Sequence, residues 1–156
     1  MTTRKLLVLA ALVAAFAGGA LVRGAAPPKR IDLAAVDNPL GGKGRTLSLT
    51  KVIIPAGSEI PLHHHPGTGV AYIDSGTLTY FVKKGRVDIH EGPPGVDSKV
   101  VGVIGAGQTG KIHAGQWIVE QPSVIHQATN KTSKPIIIHL ATLYPIGAPA
   151  SIPVKG

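Results

Sequence analysis

Seven histidines stand in a chain of 156 residues, and three are consecutive: His63, His64 and His65. On a β-strand successive side chains alternate across the sheet, so His63 and His65 project to one face and His64 to the other. An H-x-H pair presented this way is a compact clamp, since both imidazoles can approach one ion to about 2.0–2.2 Å. Two ligands do not complete a site, and the third must come from another strand. His126 is the candidate. The alternative for a lone H-x-H is a solvated surface pair. Three neutral imidazoles suit Zn, Cu, Ni or Fe(II) and not Mg or Ca. The chain has no cysteine, which excludes disulfides, thiolate metal sites and cysteine nucleophiles. It also contains no G-x-S-x-G, P-loop or paired-carboxylate arrangement, and Gly102–Gly107 lacks the spacing of a nucleotide fingerprint.

These residues need strands to position them, and the composition supplies strands. Hydrophobic residues make up 44% and charged residues 15%, enough to bury a core, while 20 Gly and 13 Pro suit many tight turns and disfavour long helices. Apolar residues alternate or cluster in short runs bounded by Gly, Pro, Asp or Asn. The runs predict strands over Thr46–Ile54, Glu59–His64, Val70–Asp74, Thr77–Lys83, Arg86–His90, Lys99–Ile104, Gln116–Glu120, Ile125–Thr129 and Pro135–Leu143. Glu91–Ser98 and Gly105–Gly110 read as loops. Short strands in this rhythm make an all-β sandwich or barrel.

Ahead of that body, Met1–Lys5 carries two positive charges and Leu6–Val22 is apolar, followed by small residues. This is the layout of a secretory signal peptide over 1–24. The rival is an uncleaved anchor, at the short limit of the roughly 17–25 residues a span needs. The expected organisation is then an extended arm over 25–44, the barrel over 45–147 and a tail over 148–156. The protein is expected outside the cytoplasm, secreted or periplasmic, touching a membrane only if the leader stays. Formal charge is +8, from 16 Lys+Arg against 8 Asp+Glu; without Arg4, Lys5 and Arg23 of the leader it is 13 against 8, or +5. The cations are scattered and not interleaved with aromatics, so nucleic acid is not the expected partner.

Two stretches carry a resemblance. Gly57-Ser-Glu-Ile-Pro-Leu-His63-His64-His65 through Gly76 resembles the first motif of the cupin superfamily, G-x5-H-x-H, x3–4, E, x6, G. Gly115-Gln-Trp-Ile-Val-Glu-Gln-Pro122 through His126 and Asn130 resembles the second. The resemblance covers roughly Arg45 to Pro145. It implies a small single-domain cupin jelly-roll β-barrel, a metal held by His63, His65 and His126, a small-molecule substrate or ligand, and a homodimer. Two positions depart from the pattern. Val124 stands where the second motif usually has glycine, and the step from Pro122 to His126 is shortened to four residues. The first motif's metal-binding Glu falls on Gly69, which offers no side chain.

Three-His iron of this kind is known in cupin dioxygenases that oxidise thiols or cleave β-diketones. The resemblance therefore implies a dioxygenase-type oxidoreductase with a divalent transition metal, Fe(II) first and Mn, Ni, Cu or Zn as the others. Two alternatives stay open: a non-catalytic module that binds a small ligand or the metal, and an isomerase- or lyase-type cupin. Arg45 and Tyr144 are the residues to inspect for a substrate-binding arginine and an active-site tyrosine. Catalytic candidates outside the histidines are Glu120 and Tyr72. Of Glu120 and Gln121, one should face the interior, where a buried carboxylate must be paired or must orient a histidine. Tyr72 and Trp117 read either as pocket walls or as core. His139, in the apolar run Ile136–Leu140, reads as a core histidine; His64, His90 and His113 read as surface, and Asn130 as a turn-fixing residue.

Overall fold

The computed structural model describes residues 24–93 and 97–155; the leader reading falls outside them. Among the described residues twelve strands and no helix form: β1 (Lys29–Asp37), β2 (Arg45–Ile54), β3 (Glu59–His64), β4 (Thr68–Ser75), β5 (Thr77–Lys84), β6 (Arg86–Glu91), β7 (Lys99–Gly105), β8 (Gln108–His113), β9 (Gln116–Glu120), β10 (Ile125–Thr129), β11 (Ile136–Pro145) and β12 (Ile152–Pro153). They lie in two antiparallel sheets. One runs β1-β2-β11-β4-β9-β6-β7 and the other β12-β3-β10-β5-β8. This is an all-β jelly roll.

Alternation explains which faces meet. On β4 every second residue, Gly69, Ala71 and Ile73, is buried while Val70, Tyr72 and Asp74 are exposed. β11 repeats this with Ile136, Ile138, Leu140 and Thr142 inward. The inward rows of both sheets merge into one core that includes Val52, Ile54, Ile73, Leu78, Val82, Ile112, Ile118 and Ile138. Each fully buried aliphatic of this kind contributes roughly 1.5–3 kcal/mol.

Three expectations change. The arm is a strand: β1 pairs with β2 from Lys29↔Ile53 to Asp37↔Thr46 although all its residues are exposed, because a sheet edge needs only backbone pairing. The loop expected over Gly105–Gly110 shrinks to a turn, and β8 follows at once, paired with β5. Its Gln-Thr-Gly-Lys sequence hides the alternation, since only Ile112 is buried. Part of the tail forms β12, which pairs with β3 through Ile152↔His64 and Pro153↔His63.

Two glycines position the histidine strand. Gly57 turns the chain into β3 with φ +72°, a conformation glycine adopts freely. At Gly67 an added Cβ would run into the Leu143 carbonyl oxygen, so the segment after His65 packs onto β11 only without a side chain.

Asn130 closes the far end of β10. It is fully buried; its amide donates to the carbonyls of Ile54 and Lys134, both at 2.8 Å, and its Oδ1 accepts from the Thr132 backbone N–H and hydroxyl. It fixes the turn, as expected, and touches no site residue.

Candidate metal centre

β3 and β10 are neighbours with His63 opposite His126 in register. His65, two residues on from His63, projects to the same side. The three rings meet inside the barrel, with centroids 4.3 Å apart for His63 and His126, 4.9 Å for His63 and His65, and 5.1 Å for His65 and His126. All three side chains are buried, and one ligand nitrogen of each lies within 4.8 Å of the other two.

Hydrogen bonds fix how two rings present themselves. His63 Nδ1 donates to the Pro61 carbonyl at 2.7 Å, and His65 Nδ1 donates to the Ala150 carbonyl at 3.0 Å. A ring held by its Nδ1–H turns Nε2 toward the centre, the usual outer support of a metal-binding histidine. The donor set therefore fits a divalent transition metal, which His63, His65 and His126 could hold.

Glu120 enters the same space. It is buried on the inner face of β9, its Oε2 is 3.1 Å from His65 Nε2, and its Oε1 is 3.3 Å from His126 Nε2. Tyr80 donates its hydroxyl to Oε1 at 2.9 Å and stacks on His126, ring centroids 4.9 Å apart and planes 16° from parallel. Of the two neighbours Glu120 and Gln121 it is Glu120 that faces the interior, and its carboxylate reaches the histidines from a different strand than the one bearing Gly69.

Burial alone would raise the Glu120 carboxyl, but the positive character of His126, the hydrogen bond from His65 and that from Tyr80 hold it down at about 2. Burial pushes His126 down to about 4, with Glu120 opposing. His63 is likewise lowered, chiefly by burial. His65 is raised, because the hydrogen bond and charge of Glu120 outweigh its burial. The Tyr80 phenol is raised well above its usual value by burial and by the adjacent carboxylate, so it keeps its proton.

A cavity of about 250 Å³ opens onto this cluster. Its walls are aliphatic, among them Val52, Ala71, Leu78, Ile118, Ile138 and Leu140, and its exposed rim includes Arg30, Glu59 and Pro61. Glu59 is engaged by the Gln127 amide at 2.8 Å. Arg30 is the one cationic lysine or arginine side chain among the lining residues.

Of the other expectations some change and some hold. Tyr72 is 41% exposed on the outer face of its sheet, opposite Trp117, where the two wall a shallow depression with Val70, Gly92, Pro93 and Gly115. It is neither core nor a candidate for chemistry at the histidines. His139 is half-exposed, 3.9 Å from Asp74, because inward Ile138 and Leu140 force it outward. His90 is half-buried against Trp117, rings 4.1 Å apart. His113 is exposed. Arg45 begins β2 exposed and does not line the cavity, whereas Tyr144 is buried and stacks on His65 at 5.8 Å. Tyr80 and Arg30 were missed. Tyr80 shares the inward row of Leu78 and Val82, a signal legible in the alternation of Thr77–Lys83; Arg30 had none, because the arm was not read as a strand.

No family model matches the chain, and no curated protein does. Solved structures match its fold. A cupin 2 domain-containing protein from Halorhodospira halophila is 13% identical, covers 90% of this chain and 77% of its own, and has a TM-score of 0.52. A cupin superfamily protein from Desulfitobacterium hafniense is 11% identical, covering 75% and 77%, with a TM-score of 0.50. A Cupin 2 conserved barrel domain protein from Salinispora arenicola is 13% identical, covering 76% of each chain, with a TM-score of 0.50. The chain has the cupin jelly-roll fold.

Proposed function

We propose that this protein is an exported, mononuclear metal-dependent oxidoreductase of dioxygenase type, acting on a small organic substrate with an anionic end. The observation that carries the reading is the convergence of three buried imidazoles at an apolar cavity. His63, His65 and His126 hold the ion, and Fe(II) bound there supplies a Lewis-acidic, redox-active centre. The aliphatic walls accept the substrate's apolar body and exclude water. Arg30 at the rim pairs with its anionic group, which turns the other end toward the histidines. Tyr80 holds Glu120 and stacks on His126, and so keeps the cluster in register. Replacing His126 with Ala is expected to remove both bound metal and O2 uptake; O2 uptake that survives the substitution sinks the assignment. Turnover without O2 would instead indicate isomerase or lyase chemistry.

One observation favours a second reading, a non-catalytic binding module. Beyond the histidine–glutamate cluster, the cavity offers no free acid or base, since Glu59 is already held by Gln127. That reading expects a thermal shift with ligand and no product.

A further inference from the structure

We infer that the outer face of the β1–β2 hairpin is a docking surface for an anionic lipid bilayer, used by the folded chain without its leader. Cross-strand register sorts the hairpin by face, because directly opposed residues share one. The pairs Asp32↔Thr50 and Asp37↔Thr46 lie on the inner face, where each threonine hydroxyl donates to its aspartate. The pairs Ile31↔Lys51, Ala34↔Leu49 and Val36↔Leu47 therefore face out. Ile31, Val36, Leu47 and Leu49 are between 39% and 52% exposed there, although the solvated face of an antiparallel sheet is ordinarily polar. The apolar row does not stop at the hairpin: beyond Leu49 it crosses Ala141 on β11 and Val70 on β4.

Charge selects the partner. Residues 29–54 contain five cations, Lys29, Arg30, Lys43, Arg45 and Lys51, and two acids. Both acids are the inward aspartates, and Arg30 lines the cavity on that same inner side. The outer face keeps aliphatic residues and cations alone, with Lys29 and Lys51 toward one end and Arg45 with the turn residue Lys43 at the other. Leu40 stands fully exposed at the turn. The turn is closed by the Asn38 N–H on the Arg45 carbonyl at 2.8 Å and the Gly44 N–H on Asn38 Oδ1 at 2.9 Å, so Leu40 is held out. A second copy laid hairpin on hairpin would oppose cations with cations, and nucleic acid would leave the aliphatic row unmatched. Apolar side chains rimmed by lysine and arginine match the acyl–headgroup boundary of a bilayer that contains anionic lipid. The position in the chain agrees. The expected leader ends at residue 24, at most about 18 Å of extended chain from Lys29, so a leader lodged in a membrane brings this hairpin to the lipid surface.

The test sediments the chain from Ala25 onward, the expected exported form, with vesicles of phosphatidylcholine alone or mixed with phosphatidylglycerol. Native protein is expected to bind the mixed vesicles and to bind phosphatidylcholine far more weakly. Lys43→Glu/Arg45→Glu is expected to weaken binding to the mixed vesicles at least about fivefold for each cation lost. Leu47→Ser/Leu49→Ser is expected to weaken it roughly tenfold or more. No binding by native protein, or native-like binding by either folded variant, overturns the inference. Binding confined to a chain that keeps residues 1–24 assigns the membrane to the leader and overturns it too. Sedimentation equilibrium reads the rival occupant: a native dimer made monomeric by Leu47→Ser/Leu49→Ser would mean that a second copy covers this face. Should the leucine variant fail to fold, Lys43→Glu/Arg45→Glu decides, since both residues are exposed; a retained preference for phosphatidylglycerol then overturns the docking. No metal enters the assay, so failure of the proposed metal site would leave its result unchanged.

Discussion

Single side chains divide here into those that hold the centre and those that hold the frame around it. Glu120 is a buried carboxylate, a placement that costs several kcal/mol unless paired; two imidazoles and a phenol offset that cost. Asn130 does comparable duty for the frame, with both amide hydrogens and its oxygen spent on backbone and Thr132 partners. Replacing Asn130 with Ala strands the buried Ile54 carbonyl, and the loss is expected to be about 2–3 kcal/mol. Urea denaturation would measure it, with metal stoichiometry unchanged at one equivalent; a loss under about 0.5 kcal/mol would mean water takes over the turn.

At the scale of strands, β3 and β10 were legible because each is a short run of strand alternation bounded by turn residues, Gly57 and Pro66 around one, Pro122 and Asn130 around the other. The histidine pair at 63 and 65 needed nothing more than that alternation. Glu120 was readable only as one of two neighbours, since a strand's period says that adjacent residues face opposite ways but not which way. Cross-strand register decides the question, and it pairs residues far apart in the chain: Gly69 with Glu120, His63 with His126. β1, β8 and β12 escaped for a different reason. Edge or near-edge strands bury little, so their sequences carry almost no apolar signal. β12 matters nonetheless, because the chain leading into it places the Ala150 carbonyl on His65. Removing residues 148–156 is expected to free the His65 ring and weaken Zn(II) binding roughly 10–100-fold, the usual effect of losing an outer partner of a ligand. Calorimetric titration reads this directly, and an unchanged affinity would show that Tyr144 stacking and the Glu120 contact suffice to orient the ring.

For the whole molecule, the proposed export rests on the charge and apolar run of the first residues. Protein recovered from outside the cytoplasm of an exporting host is expected to begin near Ala25 by intact mass; a chain retained with residues 1–24 in the membrane fraction would replace secretion by anchoring. The structure adds a consequence for loading of the proposed metal site. His65 takes its support from a carbonyl 85 residues further along, and its ring meets one from β10. No partial chain ending before those segments holds the complete site, so an ion bound as proposed would find all its ligands and their support only once these last segments have closed. Affinity among Fe, Ni, Cu and Zn follows one common order whatever the protein. Which metal such a site takes would then depend, beside its geometry and ligand type, on the ions present in the compartment where the last strands close.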